Sequence, residues 1–169
     1  MPGFSSVLLL ALAATGLAQA PEGYRTVLIT SNVDPKFVIV PKERQAGTTT
    51  IVKTRNDTPE QYWYLKDGLT KIQLANSTLC MDGGPRSNWR DMGNIYVNEC
   101  ADDTPSQEWF VMDDGRIALE PSERKQCVDL VFMRAVESND VGLFTCAGLG
   151  NIGAADKGIN WPLVDVEEP

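Results

Sequence analysis

The sequence predicts an all-β fold, a β-trefoil of three pseudo-symmetric four-strand repeats, on three observations. A seven-residue segment, Asp57-Thr58-Pro59-Glu60-Gln61-Tyr62-Trp63, recurs 46 residues later as Asp103-Thr104-Pro105-Ser106-Gln107-Glu108-Trp109. The cysteines keep the same period, with Cys100 to Cys146 spaced 46 and Cys80 to Cys127 spaced 47, and a period in this range marks a repeat architecture. Between the repeats, apolar residues fall in short runs rich in β-branched and aromatic types, bounded by Gly, Pro, Asn and Asp.

The copies run about 23–66, 67–112 and 113–164. Copy one offers strands at 26–30, 37–40, 50–52 and 62–65. Copy two offers 71–74, 79–81, 95–97 and 109–112, and copy three 116–119, 127–132, 141–144 and 161–164. Asp67-Gly68 and Asp114-Gly115 lie at the copy boundaries, where a tight turn needs residues that tolerate positive φ. No segment after the leader keeps a 3.6-residue apolar period long enough for a helix. A two-sheet sandwich accommodates the strands but not the three copies, whereas a closed trefoil accommodates both and leaves few open edges.

Residues 1–20 are read as a secretory signal peptide, with an apolar run at 7–14 (VLLLALAA) and a small-x-small pattern, Ala18-Gln19-Ala20, before Pro21. That run is too short to span a bilayer. Residues 21–169 are then a single secreted, extracellular domain. Its four cysteines form a disulfide framework, and the repeat selects Cys80 with Cys100 and Cys127 with Cys146 among the three possible pairings. Without a His or a C-x-x-C spacing, no metal site and no cofactor is expected. A net charge of −8 argues against nucleic acid or an anionic membrane as partner and leaves neutral ligands unaffected.

Trp63, Trp109 and Trp161 stand at the start of each fourth strand, where a barrel near a three-fold axis needs bulky filling. Gln61 and Gln107, two positions earlier, are placed to hydrogen-bond local backbone or a nearby carboxylate.

Cys80-Met81-Asp82, then Cys100, then Ser106-Gln107-Glu108-Trp109 resembles the repeat of the ricin-type β-trefoil lectins, which include the carbohydrate-binding modules of family 13. Copy three resembles it through Cys127-Val128-Asp129 and Leu143-Phe144-Thr145-Cys146, and copy one only through Gln61-Tyr62-Trp63. The resemblance implies a shallow sugar pocket per copy: a carboxylate after the first Cys accepts from sugar hydroxyls, an aromatic two residues before the second Cys stacks on the ring, and an Asn-Gln pair completes the polar shell. In copy two, Asp82 and Gln107 match. Asn98 takes the aromatic place there, and Trp89 or Tyr96 would have to supply a ring. In copy three, Asp129 and Phe144 match, while Gly158 and Ile159 take the Asn-Gln places. Copy one has Ile39 where the carboxylate is expected, so no site is assigned there.

Each of these residues also has a plainer role. Asp82 precedes Gly83-Gly84-Pro85 and can brace a turn. Asp129 lies in an apolar run where it needs a partner, Phe144 can fill the barrel, and Trp89 is flanked by polar residues and is expected to be exposed. Copy three carries a Gly-rich insertion before Trp161, within 147–158. Two sequons, at Asn56 and Asn76, fall in expected loops. The function implied is binding of glycans or glycoproteins without catalysis. The alternative is a secreted β-trefoil that binds a protein target as an effector or hydrolase inhibitor, since one scaffold serves both.

Overall fold

A computed structural model describes residues 19–149 and 156–167. The leader at 1–20 falls outside them up to residue 18, as does the middle of the Gly-rich insertion.

Copy one contributes β1 (Arg25–Ile29), β2 (Phe37–Pro41), β3 (Thr50–Thr54) and β4 (Trp63–Leu65). Copy two contributes β5 (Gly68–Thr70), β6 (Gln73–Leu74), β7 (Leu79–Asp82), β8 (Tyr96–Glu99) and β9 (Trp109–Val111). Copy three contributes β10 (Ile117–Leu119), β11 (Gln126–Leu130), β12 (Asp140–Thr145) and β13 (Leu163–Asp165). Pairing joins them as β13-β1-β4-β6-β7-β8 and β2-β3-β12-β11-β10-β9-β5. β13 closes onto β1, so the two ends of the domain meet.

Several boundaries differ from the sequence expectation, and three of them have a clear local reason. The single strand expected at 71–74 becomes β5 and β6, because Thr70 turns its hydroxyl onto the Lys71 carbonyl and the chain passes from β9 to β4 and β7. β11 stops at Leu130, since Phe132 and Met133 adopt left-handed φ of 56° and 50° and curl into a 3-10 turn. The last strand starts at Leu163 rather than Trp161, as Pro162 has no N–H for a ladder. The Asp-Gly boundaries hold, with Gly68 and Gly115 at φ 72° and 91°.

The three-fold repeat is kept by the indole hydrogen bonds. Each Trp indole is fully buried and donates to the carbonyl of its own copy's second strand, Trp63 to Ile39, Trp109 to Met81 and Trp161 to Val128, each at 2.9 Å. Ile39 therefore aligns with Met81 and Val128, and the residue in the carboxylate position of copy one is Val40, not Ile39. Gln61 bridges the Thr54 carbonyl and the Asn56 N–H as Gln107 bridges the Glu99 carbonyl and the Ala101 N–H. All three Trp residues share one core with Val27, Ile39, Met81, Leu119 and Leu143, drawn from every copy.

Both expected disulfides are present, Cys80–Cys100 and Cys127–Cys146, each with Cα atoms 4.9 Å apart. Strand register aligns Val38–Lys53 with Cys80–Asn98 and Cys127–Phe144. The places of the missing crosslink in copy one are thus Val38 and Arg55.

Candidate functional site

The loop between the second and third strands of each copy reaches across to the next copy. Gly47 and Thr48 bond to Val97 of β8, Met92 and Gly93 bond to Leu143 of β12, and Ser138 and Asn139 bond to Val52 of β3. A pocket beside a carboxylate is therefore walled by its own copy and by the copy before it.

In copy two that wall closes the site. Asp82 is 5% exposed and its carboxylate accepts from the Gly84 N–H at 2.8 Å, the Asn98 amide at 3.1 Å and the Gln107 amide at 3.2 Å. Asn98 Oδ1 in turn accepts from the Gly47 N–H at 3.0 Å. With three donors already supplied, the acceptor capacity of Asp82 is largely engaged. The rings proposed for this copy are placed structurally as well. Contrary to the exposed position expected for it, Trp89 is half-buried against the core with its indole N–H on the Gly84 carbonyl at 3.0 Å. Tyr96 packs closely beside Gly84, where an added Cβ would stand 3.1 Å from the ring. Its hydroxyl accepts from the Asn94 amide at 3.3 Å. Asp82 and Gln107, Asn98, Trp89 and Tyr96 are thus brought together, but as a braced turn.

Copy three is built differently at one residue. Ile159 occupies the place of Gln107 and is fully buried, so the amide that reaches Asp82 has no counterpart facing Asp129. Asp129, on β11, is 7% exposed, and among the described residues its carboxylate takes part in no hydrogen bond or ion pair. Its pKa rises to about 7, first because burial disfavours the charged form and then because Asp156 and Asp91 place negative charge nearby. Asp156 is buried before the 3-10 turn Lys157–Ile159 and caps it, accepting from Gly158 N–H at 2.9 Å and from Leu149 N–H at 3.1 Å. Gly158 keeps this turn close to the carboxylate, for a Cβ there would stand 3.0 Å from Asp129 Oδ1. Asp91 arrives from copy two and accepts from the Thr145 N–H and hydroxyl at 2.7 and 2.8 Å.

Around the two aspartates lies a pocket of 290 Å³ lined by Met92, Phe132, Met133, Phe144 and Leu149. Phe144 is half-buried, with part of its ring against the cluster of Ala118, Cys127, Cys146 and Ile159. Phe132 is 74% exposed and Leu149 69%. The sequence pointed to Asp129 and Phe144 here and missed the other five residues. Asp156 had a legible signal, an Asp two residues before a Gly in a turn. Met92 had none, because it comes from another copy. Phe132 read as strand, and only its left-handed backbone turns it to the rim.

The pocket thus offers two unengaged acceptor oxygens, an aromatic face and an apolar rim. No group of three His, Cys, Asp or Glu side chains among the described residues could hold a metal ion. Asn56 and Asn76 are both exposed, Asn56 accepting from the Thr58 N–H and hydroxyl and Asn76 at a left-handed φ of 54°.

No curated protein sequence matches the chain significantly. Among solved structures, the designed three-fold symmetric protein ThreeFoil is similar at a TM-score of 0.69 and 17% identity, over 86% of this chain and 100% of that one. The C-terminal half of the earthworm R-type lectin, solved in complex with GalNAc, gives 0.63 and 16%, over 84% and 99%. A non-toxic homologue of type II RIPs from Momordica charantia (bitter gourd), in complex with α-methyl-D-galactoside, gives 0.62 and 16% over 83% of this chain. This chain spans 48% of that one. At these identities the likeness establishes the β-trefoil fold. The family description of the ricin-type β-trefoil lectin domain matches residues 25–151, which takes in copies one and two, copy three as far as residue 151, both disulfides and the Asp129 carboxylate. The chain belongs to the ricin-type β-trefoil lectin domain family.

Proposed function

We propose that this chain is a secreted carbohydrate-binding protein that works through the single pocket of copy three and performs no catalysis. The observation that carries this reading is the contrast between two equivalent aspartates: Asp82 is bonded to three donors, whereas Asp129 is buried with none among the described residues. An acceptor with no protein donor that opens into a largely apolar pocket is free to take a ligand's donors, and adjacent sugar hydroxyls are donors of the right kind beside an aromatic face. Membership of the lectin family supports the same ligand class, as do the sugars in the earthworm and bitter gourd complexes. Export is supported by the leader pattern and by the two disulfides. The sequons at Asn56 and Asn76 would then be available to glycosylation.

The test is a broad glycan array followed by calorimetric titration of the best hit. Asp129→Ala should abolish binding, while Asp82→Ala should retain it at some cost in stability. Binding should strengthen as pH rises, because the acceptor is the ionised form. With a pKa of about 7, the competent fraction at pH 5.5 is roughly thirtyfold below that at pH 8. Equal loss from both aspartate variants would show that copy two also binds. A second reading, capture of a protein target, is favoured by the exposed Phe132 and Leu149 on the rim. Silence across the array with folded, disulfide-intact protein would select it.

A further inference from the structure

The copy-three pocket has an unbalanced charge. Asp129 and Asp156 are both buried on its floor, and Asp91 adds to the negative charge that acts on Asp129. No cation is among the groups acting on Asp129, and none of the ion pairs of the described residues engages any of the three aspartates. Lys157 and Arg134 are near in sequence to the floor and rim, yet both are exposed. Four of the six most exposed large apolar side chains among the described residues, Met92, Phe132, Met133 and Leu149, ring this one place.

We propose that the pocket selects a sugar carrying a free, protonated amino group, a hexosamine with unsubstituted nitrogen, over its neutral or N-acetylated counterpart. This rests on the carbohydrate reading above and names its ligand class. The missing counter-charge is a cation, and an apolar rim that excludes water strengthens its attraction to the floor. A metal ion is the wrong cation, because it needs more oxygen ligands than two aspartates supply, and no three-residue ligand group is present among the described residues. An ammonium group is satisfied by two or three acceptors, which Asp129 and the outer lone pairs of Asp156 provide. It is also carried on a ring whose C–H face suits Phe144 and the rim. An N-acetyl group, by contrast, keeps an N–H donor but carries no charge, and its carbonyl oxygen is repelled by the ionised form of the floor. An uncharged hydroxyl would fit but leave the charge unbalanced.

Calorimetric titration at pH 7 of the intact protein with galactosamine, N-acetylgalactosamine and galactose, and with the matching gluco series, tests this. The amino sugar of at least one series should bind about tenfold tighter than both of its counterparts, the advantage of a charge-assisted hydrogen bond over a neutral one. Asp129→Asn should bring that ratio close to one, and Asp156→Asn should lower it while the fold and both disulfides persist. Equal or tighter binding of a neutral or N-acetylated sugar overturns the amino-group preference and leaves the carbohydrate reading standing. Equal binding of n-butylamine overturns it too, since a cation site without sugar recognition would do as well. Absence of binding by every sugar removes both.

Discussion

Asp129 is a carboxyl group whose surroundings oppose its ionisation, and this sets a sign for stability against pH. Its folded pKa is about 7, above the ordinary carboxylate value near 4. Between about pH 4 and pH 7 the folded chain therefore holds a proton that the unfolded chain has released. The contribution of this residue to stability falls as pH rises through that window and is flat above it. A shift of that size is worth at most about 4 kcal/mol, and solvent relaxation around the pocket mouth reduces it. Asp129→Asn keeps the shape and removes the ionisation. It should stabilise the protein by roughly 2–4 kcal/mol at pH 8 and by almost nothing at pH 3.5. Urea unfolding of both proteins at the two pH values checks this, and a difference independent of pH would rule out ionisation as the cause. Asp82 gives the converse case: its three donors are retained by the fold, so Asp82→Ala leaves Gln107, Asn98 and Gly84 short of an acceptor. That change should cost about 1–3 kcal/mol, read from the same urea curves.

The strands and their crosslinks repeat more faithfully than their residues do. Copy one lacks a disulfide, but its register puts Val38 and Arg55 where copies two and three have Cys pairs. Val38 is fully buried on the side of β2 away from the main core, and Cys127 likewise lies in a cluster apart from that core. Val38→Cys combined with Arg55→Cys should therefore oxidise to a third crosslink, closing a loop of about 17 residues and adding up to about 3 kcal/mol. Mass spectrometry reads the bond and thermal unfolding its effect. Much of this scale was legible in the sequence, because cysteine spacing, the Gln-x-Trp recurrence and the Asp-Gly turns are local patterns. The offset between Ile39 and Val40 was not. It shifts alignment by one residue in a copy without the Cys-x-Asp element to anchor it, and the indole hydrogen bonds and the strand register fix it. The division of 71–74 into β5 and β6 depends likewise on partners far away in the chain. The pocket was legible only in its motif: Asp129 and Phe144 carry one, whereas Met92 and Asp91 reach it from copy two through a loop whose crossing no local pattern announces.

At the scale of the whole molecule, three copies could act as a chain of neighbours or as one unit, and the core decides between them. In a solenoid each repeat packs only on the next and can unfold nearly alone. Here Trp63, Trp109 and Trp161 lie in one cluster with apolar residues from all three copies, and β13 seals onto β1. Loss of any copy exposes the indoles of the other two, so no copy has a stable folded state by itself. Copy one is the critical case, having no disulfide to hold it when its packing weakens. Phe in place of Trp removes one indole hydrogen bond and leaves a small cavity, a cost of about 2–3 kcal/mol at each site. Trp63→Phe, Trp109→Phe and Trp161→Phe should therefore lower stability by similar amounts. Each should still unfold in one transition with coincident fluorescence and far-ultraviolet dichroism curves. An early separate transition in Trp63→Phe would mean that copy one opens independently and that the shared core does not couple the repeats.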